Sequence, residues 1–343
     1  MRRALLLALP LALPLAACAT APTPPLAPAP TVQARGETEP VGTSNADAAD
    51  DPAIWRNPAD AAASLIVATD KKAGLYVYGL DGKRRDYVQA GRVNNVDLRD
   101  GVLASGVLVA ASDRTDVANA RVALFRLDGA TAKLTPIGSV AAGAGEAYGI
   151  CLGRVAGATY AFVVLKDGTV AQVALDVSGA TPTGSIVRTM KLATQSEGCV
   201  VDDRTATLYV AEEDVSIWRF DARADAPTTP VSVAKVDGRT LIADVEGLAI
   251  AAEGSSGGYL VASSQGDNAY ALFRLPDLAF AGRFRIAAGR FGATSETDGI
   301  EVLTGDLPGY PGGVMVAQDG DNAPAAQNFK LVAWSDVLAT LAR

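Results

Sequence analysis

The chain has 343 residues, 49% of them hydrophobic and 20% charged, enough material for a sizeable core in one large domain or two smaller ones. A net charge of -8 and a pI near 4.8 leave no basic excess to neutralise a phosphate backbone, which excludes nucleic acid as a partner. There is no histidine, which excludes Ser-His-Asp triads, Cys-His pairs, phosphohistidine nucleophiles and His-ligated zinc or iron. Hydrolysis would have to run on carboxylates, lysine, arginine, tyrosine or a hard cation held by oxygen, such as calcium or magnesium.

In chain order, residues 1–17 combine two arginines, an apolar run broken by prolines, and small residues, the pattern of an export signal. The run Leu15-Ala16-Ala17-Cys18 resembles a bacterial lipobox, which implies cleavage before Cys18 and lipid attachment to its sulfur. Ala19 after that cysteine implies sorting to the outer membrane. Residues 18–33 are rich in proline and alanine and read as an extended tether. The folded domain is expected over residues 34–343, a monomer touching membrane only through the lipid.

From there one pattern recurs six times. An acidic or polar residue, a small residue and then apolar residues appear as Asp51-Pro52-Ala53-Ile54, Val96-Asp97-Leu98, Tyr148-Gly149-Ile150, Glu197-Gly198-Cys199, Glu246-Gly247-Leu248 and Asp298-Gly299-Ile300. The copies stand about 45 to 52 residues apart, a propeller-blade period. A second strand follows each (LIVATD, LVAASD, AFVVLKDG, LYVAEED, YLVASSQGD, VMVAQDGD), and a third (GLYVYGLDG, VALFRLDG, VAQVALD, SIWRFD, YALFRLPD, FKLVAW) alternates as a half-buried strand does. The expected fold is all-β, a six-bladed β-propeller of four-stranded blades. A short helix is expected over Ser335 to Ala342. The last blade has little chain left for an outer strand, so the stretch from Thr31 to Val41 is expected to pair there and close the ring. Cys151 and Cys199 could form a disulfide in an exported protein. Their equivalent places in neighbouring repeats favour two buried thiols instead.

The repeat phase brings Asp50, Asp51, Asp97, Tyr148, Glu197, Asp244, Glu246 and Asp298 to one axial opening. Carboxylates so crowded raise one another's pKa unless a cation stabilises the ionised forms, and calcium takes six to eight oxygen ligands. Lys71 and Lys72, Arg114 and Lys166 follow the second strands of three successive blades, a basic bank suited to a polyanion. Glu213, Asp214, Asp202 and Asp203 read as exposed turn acids. Gln327, Asn328 and Asp319 would either offer oxygen ligands or help close the ring.

The stretches DAADDPAIW, TDKKAGLYVY, NNVD, YGICL, QSEGCVVDD, LYVAEEDVSIW, DVEGL, LVASSQGDNAYALF, TSETDGIEVL and QNFKLVAW resemble the β-propeller phytases over nearly the whole mature chain. That resemblance implies release of phosphate from myo-inositol hexakisphosphate, with calcium ions both holding the fold and building the site. It implies Asp51, Pro52, Val96, Glu197, Asp244, Glu246, Asp298 and Gly299 as calcium ligands or neighbours, some through backbone oxygen. Glu37, Asp50, Tyr148, Glu212 and Asn328 would line or ligate the same site. It further implies catalytic parts for Asp51, Tyr148, Glu197, Glu212, Asp244, Glu246 and Asp298, and contacts to substrate phosphates from Lys71, Lys72, Arg114 and Lys166. A calcium-dependent lactonase and a non-enzymatic binding propeller are the rival readings; the basic bank speaks against the lactonase.

Overall fold

The computed structural model describes residues 25–44 and 47–341. The leader and Cys18 lie outside these residues. Each repeat folds into one antiparallel sheet whose strands follow chain order from the axis outward, giving six four-stranded blades. Blade 1 shows why. Leu65–Asp70 and Gly74–Gly79 are buried along their whole length, as continuous apolar runs sandwiched between neighbours must be, whereas the outer Arg84–Gln89 is largely exposed and correspondingly polar.

The inner strands are Ala49–Trp55, Val93–Arg99, Ala147–Val155, Ser196–Asp202, Val245–Glu253 and Ile300–Thr304. Each packs beside the inner strands of both adjacent blades, the sixth beside the first. The apolar residues form six separate cores, one at each seam between blades. No blade could bury its faces alone, so the ring is the unit of stability.

The sixth blade takes three strands from the end of the chain, and Gly36–Glu37 lies antiparallel beside Asn328–Ala333 as its fourth. Residues 31–33, which composition assigns to the tether and the ring-closure expectation assigns to the last blade, instead form a strand parallel to Ala279–Ala287 on the edge of blade 5, with Val32 buried. The C-terminal helix spans Trp334–Leu341, one residue ahead of expectation, and buries Trp334 and Val337 in the seam between blades 5 and 6.

Inner strands share a device that sets the height of every side chain around the axis. Five of the six carry a β-bulge at their entrance, between Ala49 and Pro52, Val93 and Val96, Ala147 and Gly149, Ser196 and Cys199, and Val245 and Leu248. An extra residue there re-aims the strand's first side chains toward the axis. Aligned on their pairing, the blades place Asp50, Asn94, Tyr148, Glu197, Glu246 and Asp298 on a first tier, and Asp51, Asn95, Gly149, Gly198, Gly247 and Gly299 on a second.

The second-tier glycines explain the acid-glycine spacing of the repeat. A Cβ on Gly149 would lie 1.9 Å from the Glu197 carbonyl oxygen, one on Gly198 2.1 Å from that of Glu246, one on Gly247 2.6 Å from that of Asp298, and one on Gly299 2.6 Å from that of Asp50. Any side chain would push the neighbouring acid away. Adjacent inner strands are thus staggered by one residue, second tier against first. That stagger also corrects the expectation for the cysteines: Cys151 lies on the fourth tier and Cys199 on the third, so they are not equivalent and meet across the seam. They form a disulfide with Cα atoms 5.7 Å apart.

Candidate functional site

The first tier opens into a cavity of about 570 Å³ at one mouth of the axial channel. A second set of residues rims it. Each residue just after a second strand donates its backbone N–H to the chain entering the same blade: Lys71 to Ala48, Arg114 to Arg92, Lys166 to Glu146, Glu213 to Gln195, Gln265 to Asp244 and Gly320 to Ser295. This sixfold bond holds one residue per blade at the mouth. Blades 1 to 3 supply Lys71, Arg114 and Lys166, and blades 4 to 6 supply Glu213, Gln265 and glycine.

Glu213 is therefore no exposed turn acid but the register counterpart of the three cations, and it is buried. Oxygens of Glu197, Glu213 and Glu246 lie within 4.8 Å of one another. Glu213 Oε1 and Glu246 Oε2 are buried without a hydrogen-bond partner among the described residues. An unpaired buried carboxylate oxygen is costly, and three convergent carboxylates are a donor set of the hard-oxygen kind that divalent cations such as calcium accept. The residues fit such an ion. Burial, and then the neighbouring acids, push Glu197 and Glu246 far above the ordinary carboxylate range. Burial pushes Glu213 up to about 7, and burial together with Asp50 brings Asp298 to about 7.

Lys71 is embedded rather than free. Its ammonium lies 2.7 Å from Asp47, 2.9 Å from Asp50 and 2.9 Å from Asp298. Burial alone would lower its pKa, but these three acids raise it well above the ordinary lysine value. Asp298 also accepts from Gln265 Nε2 at 2.7 Å, and Glu197 accepts from Asn94 Nδ2 at 2.8 Å. Lys72 is exposed and does not line the cavity. Arg114 and Lys166 also stand outside the cavity lining and gather about the ring of Tyr148, which lines the wall together with Asp244. Burial and the nearby Glu197 and Glu246 push the Tyr148 hydroxyl up, so it stays protonated.

Several other residues expected at this opening stand elsewhere. Glu212 points away: its Oε1 accepts from the N–H groups of Ala193 and Thr194 and from the Thr194 hydroxyl, and its Oε2 from Trp218 Nε1 at 2.7 Å. It pins a loop, because the strand's alternation turns it opposite to Glu213. Asp51, on the second tier, accepts from Val96 N–H at 3.0 Å. With Pro52, Val96 and the glycine tier it lines a narrow channel beneath the mouth, and Gly299 donates to the Asp50 carbonyl. Asp97 sits on the fourth tier, the level of Glu301. It pairs with Arg99 at 2.8 Å and accepts from Leu152 N–H, while Arg99 reaches Asp203 at 3.1 Å. Asp202 pairs with Arg204 at 2.8 Å. These form the far end of the channel.

Glu37 and Asn328 join another cluster outside the cavity lining. The fully buried Lys330 ammonium lies 2.7 Å from Glu37, 2.9 Å from the Asn328 side-chain oxygen and 3.1 Å from Asp319. An ammonium already fills that oxygen set. Gln327 does line the mouth, accepting from the N–H groups of Ala48 and Ala49, and so straps blade 6 to blade 1. Sequence reasoning passed over Asn94, Gln195, Gln265, Glu146 and Glu296. The first would have emerged from aligning NNVD two residues earlier, on Asn94 at the bulge instead of Val96.

Comparison with known proteins agrees with this architecture. The family model described as Phytase matches residues 5–342. A 3-phytase of Bacillus subtilis (strain 168) is 40% identical over 323 residues, covering 89% of this chain and 84% of the relative. A match of that extent, over a propeller whose mouth sets a basic bank against convergent carboxylates, leaves one assignment: the chain belongs to the phytase family and is a phosphoric monoester hydrolase.

Proposed function

We propose that the chain is a calcium-dependent phytase that removes phosphate from myo-inositol hexakisphosphate by attack of water at the mouth of the channel. The observation that carries this reading is the division of the mouth. Buried carboxylates with unpartnered oxygens (Glu213, Glu246) share the mouth with cations from the other three blades, Lys71 in the lining and Arg114 and Lys166 about the Tyr148 ring. The 3-phytase relative supports the substrate class.

Glu197, Glu213 and Glu246 would hold the cation, with Asp244 and Asp298 beside them. Bound there, calcium would supply positive charge to the phosphoryl oxygens and acidify a water. Lys71, kept as an ammonium by Asp47, Asp50 and Asp298, fixes one positive charge at the edge of that carboxylate group. Arg114 and Lys166 present the rest toward a phosphate-rich substrate, and Tyr148 remains a neutral donor. Asp51, Pro52, Val96 and Gly299 support the floor of the site from the channel. No covalent phosphoenzyme is required, in keeping with a chain lacking histidine.

Export with a lipid on Cys18 belongs to the same reading, and the Cys151–Cys199 bridge supports an oxidising compartment. The test is phosphate release from inositol hexakisphosphate in calcium, after exhaustive chelation, and after calcium is restored. Activity is expected to vanish and return. Undiminished release in chelator would end the proposal.

A further inference from the structure

Tyr148 stands where the two tiers of the mouth meet, and its ring has neighbours that a hydroxyl ligand would not need. The Arg114 guanidinium carbon lies 5.9 Å from the ring centroid, and the Lys166 ammonium 5.0 Å from it. Both distances are within reach of the attraction between a cation and the negative face of an aromatic ring. Other partners of these cations are few. Arg114 is 9% exposed, its Nε is buried without a partner, and it makes a single ion pair, a long one of 3.5 Å to the part-exposed Glu146, which leaves most of its charge to other partners. Lys166 is exposed and makes no ion pair among the described residues. Its backbone N–H bonds the carbonyl of Glu146, which brings the base of its side chain beside the strand that carries Tyr148.

An anion-binding cation must be held without being neutralised. A carboxylate would hold Arg114 and Lys166 firmly but cancel their charge, as Asp47, Asp50 and Asp298 largely do for Lys71. An aromatic face attracts them and leaves the net charge intact.

We propose that the ring of Tyr148 is a positioning platform that aims Arg114 and Lys166 jointly at one phosphate-bearing edge of the substrate. This role is separate from anything its hydroxyl does toward Glu197. The inference deepens the phytase reading and rests on it for the identity of the anion, but not for the geometry.

The experiment measures equilibrium binding of myo-inositol hexasulfate, which the enzyme cannot hydrolyse as a phosphate ester, by calorimetry at fixed calcium and moderate salt. The turnover and KM for inositol hexakisphosphate are measured in parallel. Tyr148→Phe keeps the ring and removes the hydroxyl. Tyr148→Leu removes both, and Tyr148→Met fills the same space without a ring if the leucine variant does not fold. The expected result is that Leu or Met binds hexasulfate about five- to tenfold more weakly than Phe does, with KM raised in step. In the Leu or Met background, Lys166→Met should cost less affinity than it does in the Phe background, because the two residues act together. Equal hexasulfate binding by Phe and by Leu or Met overturns the platform, even in an enzyme that hydrolyses phytate normally. A wild type that binds hexasulfate with this pattern but releases no phosphate would instead overturn the functional reading and leave the platform standing.

Discussion

The two ends of the axial channel are built from the same six strands and both carry acids, yet they settle most of those charges differently. At the far end Asp97, Asp203 and Asp202 are matched by Arg99 and Arg204 at hydrogen-bonding distance, and only Glu301, which burial pushes up to about 8, stands there without an ion pair among the described residues. At the mouth Glu197, Glu213 and Glu246 converge with no arginine among them, and Lys71 is already shared by three other acids. A fold that pairs most of its acids internally at one end, and leaves three convergent ones unpaired at the other, has left the second end for a charge from outside. The contrast separates acids that hold the protein together from acids that wait for a ligand.

The sharpest way to break the comparison is to remove one charge from each end. Glu246→Gln at the mouth is expected to lower turnover by about 100-fold or more, the scale of losing a group that organises transition-state charge. Its melting temperature in chelator should stay level or rise, since a repelling carboxylate is gone. Arg99→Met at the far end strands Asp97 and Asp203 and should cost about 3 kcal/mol of stability. Turnover per folded molecule should change little. If both variants lost activity at unchanged stability, the division between the ends would fail.

A smaller effect separates adjacent acids on one strand. Glu212→Ala removes the acceptor for two backbone N–H groups, a hydroxyl and an indole, and should cost about 2 kcal/mol, read in urea melts, with turnover retained. Glu213→Ala should do the reverse. The mildest test is pH. Glu213 and Asp298 titrate near 7 in the folded protein, above their unfolded values near 4. The folded state therefore binds more protons across that window, and stability in chelator should fall as pH rises from about 4 through 7. Added calcium should flatten the slope, because a cation takes the place of the proton. A slope of the opposite sign, or one indifferent to calcium, would count against an ion at this mouth.

Much of this arrangement can be read from the sequence, and the rest shows where such reading stops. The triple strand register predicts the blades because strand periodicity and turn spacing are local properties. The acid-glycine pairs announce the axial site because each glycine yields space to the next blade. What goes astray is a matter of one to three residues, one tier for Asp51 and three for Asp97. The bulge inserts an extra position that no alternation pattern reveals, so Asp51 and Asp97 read as rim residues when they lie lower in the channel. The same one-residue stagger hides the Cys151–Cys199 bridge. Glu212 and Glu213 are indistinguishable by composition, and only the exit register shared with Lys71, Arg114 and Lys166 tells them apart.

The docked N-terminal segment limits how the protein can be matured. Ala27 bonds the carbonyl of Arg239, and Thr31–Gln33 then covers the outer edge of blade 5 before the chain passes to blade 6. A peptidase that trimmed past Thr31–Gln33 would uncover a row of unpaired amides and carbonyls on blade 5, an invitation to sheet-to-sheet association between molecules. Proteolytic processing therefore has to stop upstream of that point if the trimmed product is to stay dispersed in solution.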